Sequence, residues 1–103
     1  MSTFGGFTYV WEFRVPPEKA GEFERHYGSA GTWVQLFSRA AGYRQTLLLK
    51  DRQDAGRYLT VDRWDSEAAY RAFQAAHARE YADLDRQCAS LTTGENSVGD
   101  FAE

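Results

Sequence analysis

The chain has 103 residues, 16% of them aromatic, and a formal net charge of -3 with acidic and basic side chains interspersed. That length allows one domain with one core, and the lack of a basic patch argues against nucleic acid or an anionic membrane surface as the partner. No apolar run approaches the roughly 20 residues that span a bilayer, the start MSTFGGFTYV has neither region of a signal peptide, and the lone cysteine excludes an intrachain disulfide, so a cytoplasmic protein is expected.

Phe7, Tyr9, Trp11, Phe13 and Val15 alternate with Thr8, Val10, Glu12 and Arg14, the period of a strand with one aromatic face. Pro16 and Pro17 end it, and Pro17 with Glu18 suits the first turn of a helix. Ala20, Phe23 and Tyr27 mark that helix's buried side. Gly28 and Gly31 interrupt the pattern before Trp33, Leu36, Phe37 and Ala40 resume it, so the first helical region is predicted in two pieces, with Gly42 as a left-handed cap. YRQTLLLKD and RYLTVDRW then read as antiparallel strands joined by a short polar turn from Arg52 to Gly56.

Asp65 or Ser66 is placed to cap the next helix, with Glu67 in its first turn. Tyr70, Phe73, His77, Tyr81, Leu84, Cys88 and Leu91 recur at helical spacing, forming one stripe of aromatic, imidazole and thiol character on a long amphipathic helix. Thr93 and Gly94 end it. ENSVGDF offers a last short strand, with Gly99 a bulge or a point of close backbone approach.

The order β-α-β-β-α-β predicts an α+β, ferredoxin-like βαββαβ fold, with helices on one face of a four-stranded antiparallel sheet. Leu47, Leu48 and Leu49 are consecutive and so put leucine on both faces of the second strand. The face away from the helices therefore needs a cover, and a homodimer that pairs two such faces is the simplest closed solution.

The element order, the strand YVWEFRV, and above all YLTVDRWDSEAAYRAF with its Trp-x-Ser-x-x-Ala-Tyr portion from Trp64 to Tyr70, resemble the antibiotic biosynthesis monooxygenase (ABM) domain family. The resemblance covers nearly the whole chain and implies a single domain over residues 1–103 with a dimeric α/β-barrel fold. It also implies, by analogy with quinone-forming members, oxidation of a small phenolic, polyketide-type or quinol substrate by O2 without cofactor or metal. In those members a Trp at the strand end and a Tyr six residues later line the cavity, the places held here by Trp64 and Tyr70. Where they carry Asn four residues before the Trp, this chain has Thr60, and only Arg79 and Arg86 lie near the place of their helical arginine.

Haem degradation, also known in the family, would need an axial His, an Asn on the first strand and a Trp on the second helix. Here the first strand has no Asn, Phe73 stands where that Trp would be, and His77 lies one turn beyond it.

Candidate catalytic residues are thus Trp64, through its indole N–H, Tyr70, through its phenol, and His77, as a proton acceptor suited to neutral pH. Candidate substrate-binding residues are Trp33, Phe37, Thr60, Phe73 and Tyr81. Each has a plainer reading: His77 as a partly buried core histidine, Trp64 and Tyr70 as a staple between strand and helix, Trp33 and Phe37 as core. Cys88 reads as a small buried hydrophobe and His26 as solvated. No phosphate-binding glycine loop, metal-ligand spacing or Ser-His-Asp arrangement is present, which is compatible with the cofactor-free oxygenase that the resemblance implies; the alternatives are a non-catalytic dimeric binding module for a small aromatic molecule and, less favoured, a haem-binding or haem-degrading protein.

Overall fold

A computed structural model describes residues 5–103. Alternating residues build β1 (Phe7–Arg14), β2 (Tyr43–Lys50), β3 (Arg57–Trp64) and β4 (Gly94–Ala102), which form one sheet in the order β2-β3-β1-β4. All three pairings are antiparallel. The helical layer consists of α1 (Ala20–Tyr27), α2 (Thr32–Phe37), α3 (Glu67–Ala76) and α4 (Ala78–Cys88), with single 3-10 turns at Pro17–Lys19 and Ala89–Leu91. This is the ferredoxin-like arrangement that the element order predicts.

Glycines and one histidine decide the breaks. Between α1 and α2, a Cβ on Gly31 would lie 2.6 Å from the carbonyl oxygens of Arg25 and His26, so the chain turns there only because no side chain is present. Gly42 departs from the predicted left-handed cap: the positive-φ residue among those described is Gly99. Close packing is the reason for glycine at position 42, where a Cβ would come within 2.4 Å of the Ala69 Cβ and push α3 off the end of β2. Gly99, at φ 154°, sits at a bulge where Val98 is the extra residue, since Val10 faces Gly99 while Trp11 faces Ser97.

Ser66 caps α3, its hydroxyl accepting from the Ala69 N–H at 3.1 Å. The predicted single long helix is divided at His77, whose backbone leaves helical geometry at φ -122° and ψ 31°. Hydrogen bonds from His77 N–H to Phe73 and from Tyr81 N–H to His77, both 2.9 Å, span the joint. The stripe stays continuous across it, with Phe73, Leu84, Cys88 and Leu91 all buried. His26 corrects another expectation: it is buried, not solvated, with Nδ1 2.9 Å from the Thr32 hydroxyl, and so ties α1 to the start of α2.

The core between sheet and helices is aromatic. Phe23 stacks on Tyr27 at 4.2 Å, and Phe37, Tyr43, Tyr70 and Phe73 surround Trp64, which is fully buried. On the opposite face of the sheet, Leu47 and Leu49 of β2 and Phe101 of β4 are exposed at 40%, 46% and 50%. Their charged neighbours are satisfied within the chain. Arg57 bridges Glu12 and Asp51, and Arg63 pairs with Glu103, whose other partner is the Thr8 hydroxyl. Among the described residues no helix is long and apolar enough to cross a membrane.

Candidate active site

The register of three strands creates the site. On β3 the inward-facing residues are Tyr58, Thr60, Asp62 and Trp64, all buried, in strict alternation with partly exposed Arg57, Leu59, Val61 and Arg63. Asp62 lies opposite Tyr9 of β1 on one side and Thr46 of β2 on the other. A carboxylate thus stands on the inner face of the sheet, under the helical layer, and is only 6% exposed.

Its hydrogen bonding is one-sided. Thr46 donates to Asp62 Oδ1 at 2.5 Å, and Tyr43 donates in turn to the Thr46 oxygen at 2.8 Å, so the hydroxyl chain runs from β2 toward the carboxylate. Among the described residues no group donates to Oδ2, and no cation pairs with Asp62. Burial pushes the Asp62 carboxyl up to about 6, and the Thr46 hydrogen bond only partly offsets this. A carboxylate of that strength is mostly ionised at neutral pH yet is a better proton acceptor than a solvated aspartate.

Phenols surround it. Tyr9, Tyr70 and Tyr81 are each pushed upward, first by burial and, among further causes, by the Asp62 carboxylate, so all three are neutral hydrogen-bond donors across the working pH range. The Tyr9 ring lies 4.8 Å from that of Tyr70, whose oxygen accepts from Gln74 Nε2 at 2.9 Å. Trp64 acts against the rise at Tyr9, but its contact falls short of hydrogen-bond geometry, and Nε1 of Trp64, like that of Trp33, has no partner among the described residues. Two buried indole N–H groups are thus left unsatisfied, an uncommon arrangement in a packed core.

Beside Asp62 opens a cavity of about 240 Å³. Tyr9, Trp11 and Phe13 of β1 form one wall, with Thr46, Thr60 and Asp62 beside them. Tyr27, Trp33 and Phe37 come from α1 and α2, Tyr81 and Asp85 from α4, and Glu95 from β4. Trp33 meets Tyr81 edge to face at 5.0 Å, which holds α2 against α4 at one side of the opening.

The family model for antibiotic biosynthesis monooxygenase matches residues 6–83. The chain belongs to this family. Solved structures with the ABM fold superpose over nearly the entire chain. SnoaB, a cofactor-independent oxygenase from Streptomyces nogalater, has a TM-score of 0.71 at 22% identity, covering 96% of this chain and 93% of that one. A Nitrosomonas europaea protein classed with antibiotic biosynthesis monooxygenases has a TM-score of 0.76 at 12% identity, covering 100% and 94%, and a conserved Methanosarcina mazei protein 0.77 at 10%, covering 95% and 92%. At these identities the likeness establishes the fold. No curated protein matches the chain in sequence.

Within this ABM fold the residues singled out from the sequence separate into three groups. Trp33, Phe37, Thr60 and Tyr81 border the cavity. Trp64, Tyr70 and Phe73 form one cluster next to it, with Trp64 packed 5.4 Å from Tyr70, 5.2 Å from Phe73 and 5.7 Å from Phe37, so they support the lining rather than supply it. His77 stands apart. It packs on Phe73 at 5.4 Å, and its Nδ1 is 3.8 Å from Glu80 at the joint between α3 and α4.

Asp62 is the residue that sequence reasoning passed over. The signal was available: it falls on the same alternation as Tyr58, Thr60 and Trp64, and a carboxylate on an inward face calls for a partner or a use.

Proposed function

We propose that this ABM-family chain is a cofactor-independent monooxygenase that oxidises a small phenolic or quinol ring system with O2 and works as a homodimer. The observation that carries the reading is Asp62, a buried carboxylate without a cation, standing on the wall of an aromatic cavity. A packed core does not retain such a group without cost, and perturbed carboxylates in clefts concentrate at functional sites. The cavity is smaller than the roughly 300–1,000 Å³ typical of drug-sized ligands, which favours a compact ring system over a large polycyclic one.

The chemistry needs few protein groups. Asp62 Oδ2 takes a proton from an activated ring CH2, leaving a carbanion conjugated with the ring oxygens. Hydrogen bonds from the neutral phenols of Tyr9 and Tyr81, which border the cavity, stabilise the charge that develops on those oxygens. The electron-rich anion passes an electron to O2, the radical pair combines to form a C–O bond, and loss of water leaves a carbonyl. One oxygen atom ends in the product and the other in water. The CH2 supplies all the electrons, so no external reductant enters. Helices α1, α2 and α4 wall the cavity on one side and shield the anion from bulk water there.

Dimerisation is supported by the opposite face of the sheet, where Leu47, Leu49 and Phe101 stand exposed beside charges already paired within the chain. A second copy would bury the same patch from both sides, and each side chain so covered, being already about half buried, contributes on the order of 1 kcal/mol.

Oxygen uptake decides between catalysis and simple binding. Metal-free protein mixed with one- and two-ring ketones that carry an activated ring CH2 should consume O2 in proportion to enzyme concentration, with a dicarbonyl or quinone product visible by absorbance. Compounds that saturate the cavity in a fluorescence titration yet oxidise no faster than in buffer would make the protein a binding module instead.

A further inference from the structure

Among the described residues, every charged group that borders the cavity is acidic. Asp62 stands on its wall, Asp85 projects from α4 and Glu95 from β4 opposite Phe13, while no described Lys, Arg or His contributes to the lining. None of the three carboxylates takes part in an ion pair among the described residues. That contrasts with the remainder of the surface, where Arg14, Arg44, Arg57, Arg63 and Arg86 each hold an acidic partner. The Glu95 carboxyl is itself pushed upward, by burial and then by Asp85, so two like charges face one opening uncompensated.

Two further observations concern what the cavity could bind. Asp62 is nine-tenths buried, yet its Oδ2 receives no hydrogen bond from any described residue while Oδ1 holds Thr46. The other walls are aromatic faces, among them Trp11, 38% exposed on the helix-facing side of the sheet where most of its neighbours are covered, and Trp33. Indole and phenol faces attract cations, and anions are repelled both by those faces and by the carboxylates.

We propose that the cavity takes a cationic ligand, a protonated amine carried on a small aromatic ring, and excludes carboxylate- and phosphate-bearing molecules. This names the substrate class of the site and rests on the oxygenase reading only for its chemical outcome, since the charge selection is a property of the cavity whether or not turnover follows. An ammonium group near Asp85 and Glu95 would also supply the positive charge that the protein lacks there, favouring the anion that proton loss to Asp62 creates on the same ring.

The test is a matched series that differs only in charge: tyramine (4-hydroxyphenethylamine), neutral 4-ethylphenol, and 3-(4-hydroxyphenyl)propanoate, titrated into the full chain with tryptophan fluorescence and calorimetry. Tyramine should bind at least about tenfold tighter than 4-ethylphenol, and the propanoate should not saturate. Asp85→Asn and Glu95→Gln, both at exposed positions, should together bring tyramine to the level of 4-ethylphenol while leaving 4-ethylphenol unchanged. Equal or weaker binding of the amine, saturable binding of the propanoate, or no binding by any of the three overturns the proposal. Oxygen uptake on a neutral one- or two-ring ketone that carries an activated ring CH2 separates the two readings, because the three probes lack such a CH2 and report binding alone. Tight amine binding with no uptake on the ketone sinks the oxygenase and keeps this inference, whereas uptake on the ketone with no preference for the amine among the probes does the reverse.

Discussion

The two faces of β3 carry opposite kinds of imbalance. Outward, Leu59 and Val61 lie between Arg57 and Arg63, whose charges are matched by Glu12, Asp51 and Glu103, so polar groups are satisfied and apolar surface is left over. Inward, Tyr58, Thr60 and Trp64 are buried in a dense aromatic core, and what is left over is polar: Asp62 without a cation and the indole N–H of Trp64 without an acceptor. Unspent apolar surface beside paired charges calls for another protein surface. Unspent polar atoms inside a core call for a ligand, because leaving them unpaired costs free energy that only function justifies.

The sharpest way to break this contrast is Asp62→Asn, which keeps the shape and an acceptor for Thr46 but removes the base. Turnover on any ring ketone with an activated CH2 accepted by the native protein should fall on the order of 10²- to 10⁴-fold. Stability should move the other way. Because burial raises the Asp62 carboxyl to about 6, the folded chain keeps a proton that the unfolded chain has already lost. The native protein therefore loses stability as pH rises from the ordinary aspartate value toward 6, to a total of about 3 kcal/mol. Denaturant melts should show Asp62→Asn more stable than the native chain by up to that amount at pH 8 and by nothing at pH 3; a destabilised variant at pH 8 would mean that the carboxylate is structural.

The outward face is tested by Leu47→Asp with Leu49→Asp. Both side chains are exposed in the single chain, so folding should be little affected, while sedimentation equilibrium should show dimer dissociation strengthened by at least about tenfold. A native chain that sediments as a monomer at micromolar concentration would remove the need for this variant and the dimer with it.

The smallest effect is expected at His77. It contacts Phe73 and Glu80 but not the cavity, so His77→Gln should change turnover by less than about twofold, near the size of ordinary surface substitutions. A loss comparable to that of Asp62→Asn would return the proton-accepting role to the histidine and force the two helices to move relative to one another during the reaction.

Four of the residues proposed from the sequence as substrate-binding, Trp33, Phe37, Thr60 and Tyr81, do border the cavity, because aromatic spacing on a helix and alternation on a strand say which face each side chain presents. Trp64 and Tyr70, put forward by resemblance, meet in one cluster just behind that lining. His77 drew attention by standing on the apolar stripe, but the stripe is about 20 residues long, far longer than one cavity, and only its Tyr81 portion reaches the opening. Asp85 and Glu95 could not be assigned from sequence, since α4 and β4 come together at the cavity only after the chain has closed.

The sequence by itself determined the strands and their order, the break in the first helical region, a bulge or close backbone approach at Gly99 and the surplus of leucine on β2, all of which follow from patterns within a few residues. Tertiary structure alone decided that Asp62 lies between Tyr9 and Thr46, that the cavity carboxylates meet no cation among the described residues, and that the chain breaks its second helix at His77. Period tells a side chain which way to face, but its neighbours, and hence the energy of its charge, depend on register between strands far apart in the chain.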